Sequence, residues 1–360
     1  MTMAANHSLG RIRVLVADDS AVMRSAVTRL LQSDPDIHVA GIAKDGLQAV
    51  QQVAALDPDV VTLDLEMPVM NGLEALQRIM RESPRPVIMF SSLTVEGAEA
   101  TFDALALGAF DYVGKPTGYA TVTTVRDELV AKVRAAYTSR VRRVAIHTHP
   151  AAAVPTPSKI RVAEVASNIS LVCLGTSTGG PAALQRILPQ LPEDFPVPVV
   201  VVQHMPPGFT EPFARRLNGL CRVRVQEASQ GQSLEPSTVS IAPAGWQTTV
   251  CRHGAKLTVN LSKEPALLHM PSVDVMMLSA AETLGNRALG VILTGMGSDG
   301  AKGISALYAS GAVTIGQDEH SCAVYGMPRA CAEQGTLHHV VPLDDIPREI
   351  MRSLRVPATR

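Results

Sequence analysis

Aromatic side chains and net charge are both scarce in this sequence. Of its 360 residues only 3% are Phe, Trp or Tyr, and the formal net charge is -1 at pH 7. Proteins that bind single-stranded nucleic acid stack bases on aromatic rings, and binding to duplexes or anionic membranes draws on an excess of basic residues. The composition therefore disfavours nucleic acid and membrane surfaces as partners. A hydrophobic content of 46% with 18% charged residues indicates a globular chain.

Paired cysteines and long apolar segments are also missing. The five cysteines are odd in number and scattered, without a CxxC pair, which predicts free thiols in a reducing cytoplasm and disfavours disulfides or a zinc site. The first residues, MTMAANHSLGRIR, contain no apolar stretch of the kind found in a signal peptide. The run PVPVVVVQH is typical of a buried strand and is too short to cross a bilayer. We therefore expect a cytoplasmic protein without membrane insertion.

The length of the chain suits two domains, because single hydrophobic cores stop growing at roughly 250–300 residues. From residue 11 to about 130, β-branched runs alternate with amphipathic helical patterns, and a last helix extends to about 141. Residues 142–167 are rich in Pro, Ala and basic residues without an apolar period, which predicts a linker. A second strand–helix alternation fills residues 168–355.

The strand–helix alternation also predicts the fold class. Apolar, non-alternating strands that alternate with helices are typical of parallel βα units, so we expect an α/β protein with two doubly wound, mostly parallel open sheets. The second domain departs from this pattern in TVSIAP and WQTTVCRHGAKLTVNLSK, which suggest antiparallel strands with a turn near Gly254. We expect these segments to form an antiparallel β addition.

Polar residues of matching chemistry follow successive strands in the first half. Asp18 and Asp19 end the first predicted strand, Asp64 ends the third, Ser91 follows the fourth and Lys115 the fifth. Since the carboxyl ends of parallel strands share one edge of a sheet, these side chains are expected to converge in one crevice. Three carboxylates together favour a bound cation, and an all-oxygen ligand set suits Mg²⁺. One carboxylate can then attack a phosphoryl donor, with the metal and Lys115 neutralising charge.

A helix cap is the alternative role for a strand-end Asp, as Asp19 or Ser20 could be for the first helix, but caps do not account for all five positions. The pattern resembles the receiver domain of bacterial response regulators over residues 11–130. The resemblance implies that Asp64 accepts a phosphoryl group. It also implies that Mg²⁺ is bound by Asp18, Asp19, Asp64 and the backbone carbonyl of Glu66. Ser91 and Lys115 are implied to contact the phosphate, and Tyr112 is the implied switch aromatic.

In the second half, CLGTSTGGPAAL places Ser177 in a GxSxG pattern between a predicted strand and a predicted helix. A Gly-rich phosphate loop is one interpretation, but no GK[ST] follows, which disfavours a P-loop. A helix N-cap serine is the second interpretation. The third is a nucleophile elbow, in which glycines permit a tight turn and helix N-terminal amides stabilise an oxyanion.

A nucleophilic serine needs a base and an orienting carboxylate. The next predicted strand ends in VVVVQHMPPGF, which places His204 at the same sheet edge as Ser177. A later strand runs into LTGMGSDG, where Asp299 supplies a carboxylate. That loop also matches GxGxxG, with Asp318 further on, so a dinucleotide site is the competing interpretation. The placement of Ser177 and His204 favours a triad in the order Ser, His, Asp, unlike the Ser, Asp, His order of α/β-hydrolases.

The motifs GTSTGG, QHMPPGF, PSVDV, LTGMGSDG and YGMPR together resemble the catalytic domain of the chemotaxis protein-glutamate methylesterases. The resemblance implies hydrolysis of glutamate γ-methyl esters on the cytoplasmic helices of chemoreceptors, with deamidation of glutamines, and a chemotaxis histidine kinase as phosphodonor. It implies no cofactor for the esterase reaction. The implied site comprises the nucleophile Ser177, the base His204 and the orienting Asp299, with Thr178 and Met296 lining the site near the oxyanion.

Two positions depart from the family pattern, since Ser298 stands where Asn is most common and Thr176 where Ala is usual. Both changes are small and bear on substrate preference, not on mechanism. The sequence predicts a serine hydrolase whose receiver covers the Ser177 edge until Asp64 is phosphorylated. A response regulator whose output is binding alone, to DNA or to a protein, is the alternative. The α/β pattern of the second half and its lack of a basic recognition stripe disfavour that alternative.

Overall fold

The computed structural model describes residues 11–92, 94–115, 122–138 and 168–354. It divides the chain into two compact units, Met1–Arg142 and Arg143–Arg360. The predicted linker, residues 142–167, lies outside the described residues, and its assignment stays a prediction.

The first unit is built on a five-stranded sheet with the order β2-β1-β3-β4-β5, in which every neighbouring pair is parallel. Its strands are β1 (Ile12–Ala17), β2 (Ile37–Ala43), β3 (Val60–Asp64), β4 (Val87–Ser91) and β5 (Asp111–Gly114). Its helices are α1 (Ala21–Gln32), α2 (Gly46–Leu56), α3 (Gly72–Glu82), α4 (Val95–Ala106) and α5 (Val122–Thr138). The strand order reverses between β1 and β3, so the carboxyl ends of these two strands border a crevice.

The helix starts of the first unit bear on the alternative role of its acidic residues. Ser20 caps α1, because its side chain accepts a hydrogen bond from Met23 N at 3.4 Å. Asp18 is buried in the preceding turn and Asp19 is exposed, and the cap of α1 uses neither carboxylate. Helix capping therefore leaves both carboxylates available at the sheet edge.

The second unit is built on a seven-stranded sheet with the order β14-β13-β12-β6-β7-β9-β8, again parallel at every pair. Its strands are β6 (Leu171–Thr176), β7 (Val199–Gln203), β8 (Arg224–Glu227), β9 (Thr238–Ile241), β10 (Gln247–His253), β11 (Lys256–Ser262), β12 (Ala288–Ile292), β13 (Val313–Gln317) and β14 (His339–Val341). Its helices are α6 (Gly180–Ile187), α7 (Thr210–Leu220), α8 (Val273–Leu284), α9 (Ala301–Ala309), α10 (Met327–Glu333) and α11 (Ile346–Ser353). Strand β6 lies between β12 and β7, so the three strands present their carboxyl ends side by side.

The prediction of two mostly parallel α/β sheets with an antiparallel addition is confirmed, with one strand corrected. The sequence predicts TVSIAP to be antiparallel, but it forms β9, which pairs in parallel with β7 and β8. Three of the four β9 residues are buried, as in a strand covered on both faces, and so short a strand carries no clear period. The antiparallel addition is the separate pair β10–β11, which turns at Gly254, where φ is +61°.

Helix α8 packs against both the antiparallel pair and helix α9 in the second unit. Its residues Val273, Met276 and Met277 are fully buried in one apolar cluster with Val250 of β10 and Ile304 of α9. Met276 and Met277 are therefore core residues. None of the helices in the described ranges is long and apolar enough to span a membrane.

Candidate active site

Ser177 lies in the turn that joins β6 to α6. Gly179 in this turn has a φ of +75°, which favours glycine. A Cβ at Gly180 would lie 2.0 Å from Gln203 Oε1 and 2.4 Å from Thr176 Oγ1, so glycine is needed there as well. The two glycines let the strand pass directly into the helix and leave Ser177 partly exposed at the carboxyl end of the sheet. This is the strand–turn–helix form of a nucleophile elbow.

His204 follows the neighbouring strand β7 directly. Its backbone N donates to Thr176 O at 3.3 Å, which extends the pairing of β6 and β7 beyond the strands. This register brings the imidazole beside Ser177, with 3.1 Å between His204 Nδ1 and Ser177 Oγ. Gln203 holds the same junction, because its Nε2 donates to the carbonyls of Ser177 (3.0 Å) and His204 (2.9 Å).

Asp299 reaches the other side of the imidazole from the loop after β12. His204 Nε2 and Asp299 Oδ2 are 2.7 Å apart. The carboxylate also lies at the N-terminus of α8, where Oδ2 accepts from Val273 N (2.8 Å) and Oδ1 accepts from Asp274 N (3.0 Å) and Ser272 Oγ (2.8 Å). The helix therefore fixes the position of the carboxylate and supplies the positive end of its dipole.

This environment keeps Asp299 ionised. Burial alone raises the pKa of Asp299, but the hydrogen bond and charge of His204 and the amides of Asp274 and Val273 outweigh it and hold the pKa well below its usual range. Because an ionised carboxylate only accepts hydrogen bonds, His204 carries its proton on Nε2. Nδ1 then presents a lone pair to the hydroxyl of Ser177, which is the state a general base requires.

The glycines of LTGMGSDG serve close packing at this site. A Cβ at Gly295 would lie 2.2 Å from Met327 Sδ and 2.9 Å from Ser177 Cβ. Gly297 and Gly300 have φ values of +82° and +98°, which favour glycine. Asp318, the acidic residue of the dinucleotide interpretation, instead accepts hydrogen bonds from the backbone and side chain of Ser321 at 3.0 and 2.5 Å. The pattern is explained by tight turns beside Ser177 and Asp299.

The amides available to an oxyanion are fewer than the sequence suggests. Ser177 N donates to Thr294 O at 3.1 Å, so the amide of the nucleophile itself is engaged. Thr178 is buried, with its carbonyl accepting from Thr294 Oγ1 at 3.0 Å, and Met296 is partly exposed in the loop before Asp299. The assignment of Thr178 and Met296 to the oxyanion stays a prediction.

Three further residues support the site that sequence reasoning did not single out. Ser272 donates to Asp299 and also caps α8 by accepting from Val275 N at 3.4 Å. The imidazole of His269 stacks on that of His204, with 3.9 Å between ring centroids and 8° between ring planes. Gln203 bridges the two active-site turns, as described above. A Ser before the helical pattern VDV is an N-cap pattern that could have identified Ser272. No spacing rule identifies His269 or Gln203.

The acidic residues of the first unit also converge. Carboxylate oxygens of Asp18, Asp19 and Asp64 lie within 4.8 Å of one another. Lys115 Nζ lies 2.7 Å from Asp64 Oδ2 and 3.7 Å from Asp18 Oδ2. Asp18 Oδ2 is buried and accepts no hydrogen bond from the described residues. An all-oxygen set with an unsatisfied buried carboxylate atom fits a divalent cation such as Mg²⁺. The Glu66 carbonyl as a further ligand stays a prediction.

Burial has the largest effect on the pKa of two of these carboxylates, Asp64 and Asp18. It raises the pKa of Asp64 to about 6, although the hydrogen bond and the charge of Lys115 oppose the shift and the charge of Asp18 adds to it. Burial likewise raises the pKa of Asp18 against the effect of Lys115. Lys115 thus offsets only part of the cost of holding these two carboxylates as anions.

Ser91 and Tyr112 lie near this edge, where the hydroxyl of Ser91 and the backbone carbonyl of Tyr112 form hydrogen bonds. Ser91 Oγ donates to Gly97 O at 3.0 Å and accepts from Thr101 Oγ1 at 2.8 Å, so its hydroxyl is directed toward α4. Tyr112 is buried, and its carbonyl accepts from Lys132 Nζ at 2.5 Å. Their roles in phosphate sensing and switching stay predictions.

Both halves of the chain are similar to known protein families. The family described as CheB methylesterase matches residues 172–350, and the response regulator receiver domain matches residues 14–125. A protein-glutamate methylesterase/protein-glutamine glutaminase of Oleidesulfovibrio alaskensis is 45% identical, with 95% of this chain and 99% of that protein covered. One of the same name from Pyrococcus abyssi is 42% identical, with 96% and 94% covered. The crystal structure of the Thermotoga maritima CheB methylesterase catalytic domain superposes with a TM-score of 0.50 at 39% identity, covering 51% of this chain and 98% of that one.

Proposed function

The chain belongs to the CheB methylesterase family, and we propose that it hydrolyses glutamate γ-methyl esters with Ser177, His204 and Asp299. It is a protein-glutamate methylesterase with a receiver domain, and its relatives are also named protein-glutamine glutaminases. The observation that carries the residue assignment is the chain of hydrogen bonds from Ser177 Oγ through His204 to Asp299, at 3.1 and 2.7 Å. Such a chain raises the nucleophilicity of a serine hydroxyl.

In the first half of the reaction Ser177 Oγ attacks the carbonyl carbon of the ester. His204 Nδ1 accepts the hydroxyl proton as the new C–O bond forms, and Asp299 stabilises the imidazolium that results. His204 then gives the proton to the methoxy oxygen as the carbon–oxygen bond to the leaving group breaks. The products of this half are methanol and an acyl-enzyme on Ser177.

The second half repeats the proton transfers with water. His204 Nδ1 accepts a proton from the attacking water, and the same proton returns to Ser177 Oγ as the acyl bond breaks, which releases the glutamate carboxylic acid group. A glutamine side chain follows the same steps with ammonia as the leaving group. We assign the oxyanion of both tetrahedral intermediates to backbone amides near Thr178 and Met296, because Thr178 directly follows Ser177 and Met296 lies in the loop that carries Asp299.

We propose that the substrates are the methylated cytoplasmic helices of chemoreceptors and that a chemotaxis histidine kinase is the phosphodonor. The pairing of a CheB methylesterase domain with a receiver domain supports both assignments. With these partners the protein would act in the cytoplasm, and its five free cysteines are compatible with that reducing environment.

The triad is tested by methanol release from methylated chemoreceptor in the presence of the full-length enzyme. Ser177→Ala is expected to lower kcat by at least about 10⁴-fold, because no other group replaces the nucleophile. Ser229→Ala is the matched control, since Ser229 is an exposed serine of the same unit, and its activity should equal that of the wild type. Undiminished hydrolysis by Ser177→Ala would refute the assignment.

We further propose that Asp64 is phosphorylated and that this raises the esterase activity. Asp18, Asp19 and Asp64 would hold Mg²⁺, which neutralises the charge of an incoming phosphoryl group. Lys115 already contacts Asp64 at 2.7 Å and is placed to pair with a phosphoryl oxygen. Phosphorylation converts Asp64 from a carboxylate that burial destabilises into an acyl phosphate with more negative charge. Lys115 and Ser91 would then bind phosphoryl oxygens in place of their present partners.

A small phosphodonor such as acetyl phosphate, added with Mg²⁺, tests this regulation. It is expected to raise methanol release by the wild type and to have no effect on Asp64→Ala. Asp127→Ala is the control, since Asp127 is exposed and pairs with its neighbour Arg126, and it should respond like the wild type. A full response in Asp64→Ala would show that another residue accepts the phosphoryl group.

A further inference from the structure

We propose that His269 is a positioning residue that holds the catalytic base His204 by ring stacking. The proposal rests on the proposed function, because it assigns His269 a part in the action of Ser177, His204 and Asp299. The two imidazoles are 3.9 Å apart at their centroids and nearly parallel, with 8° between their planes. No water molecule fits between rings at this distance, so one face of His204 is covered by another flat ring.

The stacking restrains a motion that the hydrogen bonds of His204 do not. Its two nitrogens are held at opposite edges of the ring, by Ser177 at 3.1 Å and by Asp299 at 2.7 Å. Hydrogen bonds at two edges fix the ring along the line between them but resist rotation about that line only weakly. Because the lone pair of Nδ1 lies slightly off that line, the rotation tilts it out of alignment with the hydroxyl of Ser177, which makes the longer of the two contacts. A ring packed flat on one face opposes this rotation directly.

The loop that carries His269 is itself tightly held. Gln247, at the start of β10, is fully buried. Its Nε2 donates to the carbonyls of His269 (3.0 Å) and Pro265 (3.1 Å), and its Oε1 accepts from Ser272 N at 2.9 Å. Gly245 N adds a bond to Met270 O at 2.7 Å. The antiparallel pair β10–β11 thus fixes one loop that presents His269 to His204 and Ser272 to Asp299.

The test compares His269→Phe, His269→Leu and His269→Ala in the full-length enzyme. Phe keeps a flat ring, Leu keeps much of the volume without one, and Ala removes both. We expect His269→Leu and His269→Ala to lower kcat for methanol release by about threefold to tenfold, which corresponds to the stabilisation that one aromatic pair provides. KM should stay within about twofold of the wild-type value. His269→Phe is expected to keep a kcat close to that of the wild type. His253→Ala, at the exposed end of β10, is the control and should match the wild type.

A second measurement reports on the base without the receptor. A fluorophosphonate reacts with an activated serine by forming an Oγ–P bond with loss of fluoride, and the hydroxyl proton passes to His204. The rate of labelling should fall in His269→Leu and His269→Ala by the same factors as kcat. In His269→Phe it should stay close to the wild-type rate. If His269→Ala does not fold, the comparison of His269→Leu with His269→Phe still shows whether a flat ring at this position is needed.

The outcomes are distinct. Wild-type kcat in the Leu variant, or a loss in Phe equal to that in Leu, overturns the positioning role. A rise in KM with unchanged kcat also overturns it, because His269 would then contact the substrate. Ser177→Ala is assayed in parallel: if that variant retains activity, the proposed function fails, whatever the His269 variants do.

Discussion

Asp64 and Asp299 are carboxylates at the carboxyl edge of a parallel sheet, the first buried and the second partly buried, yet their pKa values move in opposite directions. Burial raises the pKa of Asp64 to about 6. Burial acts in the same sense on Asp299, but the hydrogen bond and charge of His204 and two backbone amides reverse it and hold the pKa well below its usual range. The difference therefore lies in the donors around each group and not in its place in the fold.

The donor count separates the two kinds of site. Asp299 accepts from His204, Ser272 and the amides of Val273 and Asp274 at distances of 2.7 to 3.0 Å. Asp64 accepts from Lys115 at 2.7 Å and only weakly from Glu66 N at 3.4 Å, with Asp18 adding repulsion. The protein satisfies the charge of Asp299 permanently, which suits a group that orients a base. The charge of Asp64 is left partly unsatisfied, which suits a group that binds a cation and then a phosphoryl group.

The largest test of this comparison is Asp299→Asn. An amide has one acceptor and one NH₂ donor, so it cannot serve both His204 Nε2–H and the amides of α8 as a charged acceptor does. His204 would lose its orientation and its tautomer, and kcat for methanol release is expected to fall by about 10⁴-fold. The control is Asp344→Asn, at an exposed carboxylate paired with Arg186, which should keep full activity. A loss of less than about tenfold would show that Asp299 does not orient the base.

The second test uses the raised pKa of Asp64. A group with a pKa of about 6 is ionised above that pH and protonated below it, and only the ionised carboxylate binds a metal. The affinity for Mg²⁺ is therefore expected to fall by about tenfold between pH 7.5 and pH 5, as one protonation equilibrium requires. Asp18, whose pKa burial also raises, acts in the same direction. Isothermal titration of the full-length protein with Mg²⁺ at the two pH values measures the change.

The control for this titration is Asp64→Asn, whose remaining Mg²⁺ affinity should be weaker at pH 7.5 than that of the wild type. Equal wild-type affinity at both pH values would contradict either the raised pKa or the role of Asp64 as a ligand. No comparable pH effect is expected from Asp299 in this range, since that carboxylate stays ionised.

The sequence predicts those site residues that directly follow strands. Ser177, His204 and Asp64 could be placed because parallel strands end at a common edge, a rule that needs only strand order and the position of each strand end. Asp299 lies seven residues beyond the end of β12. The glycines around it fit a dinucleotide loop as well as a triad, and only the placement of Ser177 and His204 favours the triad. The two α/β sheets followed from the same alternation of strands and helices.

The sequence does not predict contacts made by loops whose paths depend on distant residues. His269 reaches His204 because buried Gln247, 22 residues earlier, binds its carbonyl. The sequence predicts the wrong direction for strand β9, because four residues do not reveal whether one or both faces are buried. In both cases the deciding interactions are long-range and have no local pattern.

The smallest predicted effect concerns Ser272, which contributes one of the donors that distinguish Asp299 from Asp64. Ser272→Ala removes the hydrogen bond to Asp299 Oδ1 and the cap of α8, while the amides of Val273 and Asp274 remain. We expect kcat to fall about fivefold and the free energy of unfolding of the second unit to fall by about 1 kcal/mol. Ser272→Thr keeps a hydroxyl at the same place and should recover most of both.

Methanol release measures the first effect, and denaturant unfolding followed by fluorescence measures the second. The single tryptophan of the chain, Trp246, lies in the second unit and reports on its transition alone. A stability loss without any change in kcat would make Ser272 a helix cap only. The charge of Asp299 would then be satisfied by His204 and the backbone of α8, and the contrast with Asp64 would rest on the helix N-terminus without a contribution from the serine.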